Sequence, residues 1–219
     1  MDKIKILGKY SMKITYVDHP LLQYKISQLR DASISCHNFR QITEQIAEIL
    51  TLYALKDIEA EKTTVNTWSG PTEGLKIDEN ALTIVPILRA GVGMLTGVLH
   101  YLNNTGVSVL GMQRNETTLE PEPYYEKCVK NLENRTALVI DPMLATGGSL
   151  ADAIDLLKSR GCKRIKALVI VAAPEGIAKL EREHPDVELY IGAKDDHLNE
   201  NGYIIPGLGD AGDKLFGTI

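Results

Sequence analysis

The stretch best equipped for chemistry is Asp141-Pro142-Met143-Leu144-Ala145-Thr146-Gly147-Gly148-Ser149. An apolar run, Thr136 to Ile140, leads into it, and an amphipathic run with Leu150, Ala153, Ile154 and Leu157 on one side follows. A buried strand therefore delivers Asp141 to its carboxyl end, and Thr146 to Ser149 lead straight into a helix. Paired glycines let the backbone curl so that several N–H groups converge. Thr146 and Ser149 add hydroxyl donors, and the helix N-terminus adds positive potential, which together make an anion site. No Gly-Lys-Ser/Thr follows, so the loop lacks the lysine that grips a polyphosphate chain, and one phosphate monoester fits better. Asp141, acceptor-only when ionised, suits sugar hydroxyls a few bonds away. A capped helix with no ligand also uses Ser and Gly. Strand, acid, loop and helix in succession favour phosphate plus ribose.

Arg89, in Pro86-Ile-Leu-Arg-Ala-Gly91, stands at the end of a second apolar run, before small residues that allow close backbone approach. A surface salt bridge is the commonest fate of an arginine. A place beside the phosphate loop favours diphosphate instead, because a guanidinium clamps phosphate oxygens bidentately. Near the end of the chain GLGDAG (207–212) spells G-x-G-x-x-G. A dinucleotide fingerprint needs a helix and a further strand after it, about 30 residues in all, and only Asp213 to Ile219 remain. A nicotinamide oxidoreductase is excluded on length, and the glycines suit a loop whose backbone touches a flat ligand. His19, His37, His100, His184 and His197 are scattered and suggest no metal pair or nucleophilic triad; His197, near that loop, is the one to inspect.

The elements that position these residues follow from the apolar rhythm. Asp18-His-Pro20 starts a helix with Leu21, Leu22, Ile26 and Leu29 on one face. A longer helix between His37 and about Asp57 carries Ile42, Ile46, Ile49, Leu50 and Tyr53. From Leu82 onward apolar strands (82–88, 107–112, 136–140, 165–173, 187–191) alternate with helices opening near Ala90, Ser149 and Pro174. Near-continuous apolar strands between helices indicate a parallel sheet covered on both faces, with ligands beyond the carboxyl ends of its strands. Asn115 to Tyr125, with two prolines and several acids, interrupts the alternation and reads as a projecting hairpin.

The chain of 219 residues, 44% hydrophobic and 24% charged, has the composition of a globular α/β protein of one domain, 1–219. A net charge of −5 and the absence of any Lys/Arg cluster disfavour a nucleic-acid surface. Cys36, Cys128 and Cys162 lie far apart, as free thiols in a reducing compartment do, and no segment approaches a membrane span or a leader; the expected location is the cytoplasm.

The wording DPMLATGGS resembles the phosphoribosyl-pyrophosphate loop of the type I phosphoribosyltransferases. With Pro142 in place of a second acid, it is similar to the uracil branch of that superfamily. PILRAG (86–91), RNETTLEP (114–121), VIVAAPEG (169–176), HPDVELY (184–190) and LNENGYIIPGLGDAGDKLFGT (198–218) agree in order, beginning near His19-Pro20. The resemblance implies an α/β fold with a central, mostly parallel sheet flanked by helices, an N-terminal helical layer, a β flap at about 113–127 and a base-binding tail at about 192–219. It implies transfer of the 5-phosphoribosyl group of 5-phosphoribosyl 1-diphosphate (PRPP) to uracil, giving UMP and diphosphate.

By the same resemblance Arg89, Arg114, Asp141 to Ser149 and Asp210 bind PRPP. Ile204, Gly209, Asp210 and Ala211 bind uracil, and Arg89, Asp141 and Asp210 are catalytic. The family leads to a strained, cis peptide around Arg89-Ala90, Mg²⁺ bound with the substrate rather than in a protein cage, a GTP activator, and a homodimer or homotetramer. Gln113 and the Leu52–Asp57 segment depart from the family's usual residues. An RNA-binding regulator of the same fold and a sister enzyme for another base, such as orotate, are the rival readings.

Overall fold

The computed structural model describes residues 12–114 and 121–218. Two helices, α1 (Pro20–Leu29) and α2 (Cys36–Ala54), follow a short strand β1 (Lys13–Tyr16). His19 caps α1, its ring accepting the Leu21 N–H at 3.2 Å, and Ser35 caps α2 through the Asn38 N–H at 3.3 Å. Capping side chains satisfy donors that a helix start leaves orphaned. Leu22, Ile26 and Leu29 are buried as their spacing predicts, while Leu21 points to solvent. A stripe at i, i+4 and i+7 has no room for a residue adjacent to its edge.

A hairpin of β2 (Glu61–Thr67) and β3 (Gly70–Lys76) comes next. Its Thr- and Glu-rich strands show no alternation, and Trp68 at the turn is fully exposed. The alternating portion then runs β4 (Leu82–Leu88), α3 (Val92–Leu99), β5 (Gly106–Val107), β6 (Val109–Arg114), β7 (Pro121–Lys127), β8 (Thr136–Leu144), α4 (Gly148–Ser159), β9 (Arg164–Ala172), α5 (Pro174–Glu183) and β10 (Glu188–Lys194). The tail contains β11 (His197–Leu198), β12 (Ile204–Ile205) and α6 (Ala211–Phe216).

The central sheet has the order β1-β10-β9-β8-β4-β6-β7, with β5 also beside β4. All pairs are parallel except β6–β7, which is antiparallel and falls where a flap is expected; residues 115–120 lie outside the described residues. Along β8, Leu138 and Ile140 enter one core with α1, α2 and α3, whereas Ala137 and Val139 enter the other with α4 and α5. Leu168 and Ile170 of β9 divide from Ala167 and Val169 in the same way. This two-residue period on a sheet buried on both faces is why the strands read as unbroken apolar runs.

Strand order reverses at β8: β9 and β10 extend to one side, β4 and β6 to the other. The crevice beyond the carboxyl ends of β4 and β8 is therefore the switch point where an open α/β sheet takes its ligand. β8 also runs further than its apolar residues suggest. Asp141 pairs with Val169, and the register resumes beyond Pro142 with Met143 opposite Val171 and Leu144 opposite Ala172. The long neighbour β9 templates the extension, so Asp141 to Leu144 are strand rather than loop.

Candidate active site

The loop Ala145–Gly147 joins β8 to α4. Gly147 takes φ 82, the left-handed region that costs glycine little, and occupies the N-cap position without any side-chain cap. Gly148 N–H leans toward Thr146 Oγ1 at 3.4 Å, and Thr146 and Ser149 are exposed. No acidic residue lies in the first turn of α4. An uncapped first turn with an unopposed dipole, flanked by two hydroxyls, is able to receive an anion.

The loop rests on α5. A Cβ on Gly176 would lie 2.4 Å from Ala145 O, and one on Gly147 would lie 3.1 Å from Gly176 O. Only glycine at 176 permits this approach. The sequence carried one signal for it, a glycine inside a helical run, which usually marks close packing.

Asp141 is partly exposed on β8. Burial pushes its carboxyl up to about 7, with a smaller downward pull from the Met143 backbone N–H. Desolvation without a cationic neighbour gives this direction.

Arg89 leaves the end of β4. The cis peptide is Leu88–Arg89, at the end of β4 and one bond before Arg89-Ala90. Gly91 fits under it, since a Cβ there would sit 2.5 Å from Ile140 O. The Arg89 guanidinium donates through Nη2 to Asp213 Oδ1 at 3.1 Å and lies 5.9 Å from the centre of the Phe216 ring. The salt bridge that is commonplace for an arginine is thus present, but its partner belongs to the tail. The pair is exposed, and water and salt screen such pairs, so a diphosphate can compete for the cation. Arg114 ends β6, opposite Pro121 of β7, and its side chain lies outside the described residues.

The tail is more ordered than its glycines suggest. Residues 211–216 form the helix α6 rather than loop, because Asp210 caps it, Oδ1 accepting the Asp213 N–H at 2.9 Å. Gly209 has φ 72. Neither the Gly209 carbonyl nor the Ala211 N–H has a partner among the described residues. Ile204 is buried with Leu208, Ala211 and Leu215.

A strut missed in the sequence fixes this turn. Arg30 donates to both oxygens of the buried Asp195 carboxylate, at 2.9 and 2.5 Å, and to Gly207 O at 2.9 Å, while Gly207 N–H returns a bond to Asp195 Oδ2 at 2.9 Å. His197 is exposed on β11.

Among the described residues no group of three or more His, Cys, Asp or Glu side chains could hold a metal ion, and no helix is long and apolar enough to cross a membrane. A cavity of about 370 Å³ lies at the amino ends of β8, β9 and β10, lined by Asp57, Lys166 and Glu188 among others, and shares no residue with this crevice.

The family model described as uracil phosphoribosyltransferase matches residues 16–218. The chain belongs to that family. It is a phosphoribosyltransferase, an enzyme that places a phosphoribosyl group on a base. The solved structure of the AQ2163 protein from Aquifex aeolicus is 38% identical to it, over 93% of this chain and 97% of that one, with a TM-score of 0.87. A purine phosphoribosyltransferase from Pyrococcus horikoshii Ot3 is 16% identical over 69% of this chain and 82% of that one, with a TM-score of 0.48.

Proposed function

We propose that this phosphoribosyltransferase joins uracil N1 to C1 of PRPP, forming UMP and releasing diphosphate. The observation that carries this reading is the uncapped start of α4 at Gly147, set beside the carboxyl end of β4, where Arg89 meets the tail. In this reading the start of α4, the Arg89 cation and a turn whose Gly209 carbonyl and Ala211 N–H lack partners among the described residues serve one reaction.

Thr146 to Ser149 hold the 5′-phosphate, with Pro142 to Ala145 forming the approach. Asp141 accepts from the ribose hydroxyls. Arg89 and Arg114 take the diphosphate, whose charge grows as the C1–O bond breaks and oxocarbenium character builds on the ribose. Stabilising that departing charge and aligning the base are the enzyme's main tasks. In this reading Asp210, whose Oδ1 caps α6, is the carboxylate that receives the proton lost from N1. Mg²⁺, which no carboxylate cluster of the described residues would hold, would come with the diphosphate and supply part of the positive charge that steadies the leaving group.

Base choice follows from the turn. Uracil presents acceptor, donor, acceptor along O2, N3–H and O4. The Gly209 carbonyl accepts N3–H and the Ala211 N–H donates to O4, with Ile204 closing the apolar side. Cytosine reverses the last two roles, leaving buried groups unpaired, which such sites reject strongly. Orotate would want a cation for its carboxylate, and the loop offers only Lys214.

Incubation with PRPP, Mg²⁺ and labelled uracil, cytosine or orotate tests this directly. UMP from uracil alone supports the proposal; comparable product from cytosine defeats the base-turn argument. Sedimentation and assays with added GTP measure the homodimer or homotetramer and the nucleotide activation that the family suggests.

A further inference from the structure

We propose that Asp213 is a positioning residue for Arg89, coupling the base-binding tail to diphosphate binding. The inference rests on reading Arg89 as a diphosphate ligand. Asp213 lies on α6, the base side of the crevice, and Arg89 lies on the turn after β4, the diphosphate side. Their 3.1 Å bond spans 124 residues of sequence.

Three features show that the carboxylate is held in place rather than swinging free. Thr218 Oγ1 donates to the same Asp213 Oδ1 at 2.6 Å. The Asp213 N–H is fixed by Asp210, and its carbonyl accepts the Gly217 N–H at 2.7 Å. The hydrogen bonds from Thr218 and Arg89 hold its carboxyl below the usual carboxylate range, so it stays charged.

The guanidinium is equally well placed. It lies near Phe216, and a Cβ on Gly212 would come within 3.5 Å of its Nη2. A guanidinium has five N–H donors, and Asp213 engages one nitrogen corner, leaving the rest of the fork for phosphate oxygens. Holding one corner limits the rotamers of a long side chain and aims the remainder, which lowers the ordering cost when diphosphate arrives. A base that settles the turn at Gly209–Ala211 steadies α6, and through Asp213 it steadies Arg89. The two substrates then bind with positive linkage.

A purely structural role for Asp213 in α6 predicts different behaviour, and a double-mutant cycle separates the two. The probe is inorganic pyrophosphate with Mg²⁺, titrated by calorimetry into the unaltered protein, Asp213→Ala, Arg89→Ala and the double variant. Asp213→Ala is expected to weaken pyrophosphate about tenfold, and to have no further effect once Arg89 is alanine. UMP, which has no diphosphate, is expected to bind Asp213→Ala within about twofold of normal. Asp213→Asn, which keeps the Oδ1 acceptor, restores much of the pyrophosphate affinity and serves where alanine unsettles the fold.

An Asp213 effect that persists undiminished in the Arg89→Ala background overturns the coupling, as does a parallel loss of UMP binding. Unchanged pyrophosphate affinity in Arg89→Ala instead removes the diphosphate reading of Arg89 itself.

Discussion

The α-carbon of Gly176 packs so tightly beneath the Ala145 carbonyl that an added methyl would sit 2.4 Å from that oxygen and 2.9 Å from Leu144 Cγ. Neither neighbour yields easily, because Leu144 is buried on β8 and Ala145 carries the backbone into Thr146. Gly176→Ala should therefore lift the Ala145–Gly147 loop, the proposed phosphate site, although residue 176 itself has no proposed ligand role. Overpacking of this kind costs about 1–3 kcal/mol. The expected result is a lower melting temperature and a KM for PRPP raised about tenfold, with the KM for uracil little changed. Equal steady-state constants for the two proteins would show that the loop is not supported from α5.

Gly147 tests the loop from its other side. A β-branched residue is strained at φ 82, and its Cβ would press on Gly176 O at 3.1 Å. Gly147→Val should abolish measurable PRPP binding while uracil analogues still protect the tail from proteolysis. Retained affinity for the sugar would rule out the first turn of α4 as the phosphate site.

The sheet and both layers of helices were legible because burial on two faces writes itself as apolar runs. The hairpin β2–β3 was not, since its exposed strands bury almost nothing and carry no apolar period. β1 escaped notice for a related reason: Lys13 to Tyr16 is a short edge strand, defined by pairing with Glu188 to Ile191 rather than by its own composition. In the site, Asp141, Gly147 and Arg89 announced themselves by residue type at the ends of strands. Arg30, Asp195 and Asp213 did not, because their meaning lies in partners more than 100 residues away. Pairing at that distance leaves no local pattern. Asp210 was recognised by its motif, yet its capping of α6 was visible only in the fold.

The strut from Arg30 gives a third test. Asp195 has a side chain only 2% exposed, so removing Arg30 leaves a buried charge with only the Gly207 N–H to compensate it. Loss of one member of such a pair costs about 3–5 kcal/mol. Arg30→Ala should destabilise the protein by about 3 kcal/mol in urea and, at permissive temperature, raise the KM for uracil more than that for PRPP. The asymmetry is the telling part, because Arg30 also holds Gly207 O. An equal rise in both constants would point to general loosening instead.

Asp141 supplies a pH-dependent prediction. Its carboxyl sits at about 7 in the folded protein, against roughly 3.9 in an unfolded chain. Between those values the native state keeps a proton that the unfolded chain has released. Stability from this group is therefore fully present below about pH 4 and is lost as pH rises to about 7. Because Asp141 keeps a partly exposed edge, the loss is on the order of 2 kcal/mol, less than full burial would give. Asp141→Asn removes the penalty, so the variant should match the native protein at pH 4.5 and exceed its urea stability at pH 8.

Binding runs the opposite way. In the proposed role the ionised carboxylate is the form that accepts ribose hydroxyls, so affinity for PRPP should rise between about pH 6 and 8. The substrate's own phosphates also titrate in this range, and the difference between the native protein and Asp141→Asn cancels that contribution. Calorimetric titration of both proteins at three pH values provides the comparison. Parallel pH profiles for the two would mean that Asp141 neither titrates near neutrality nor contacts the sugar.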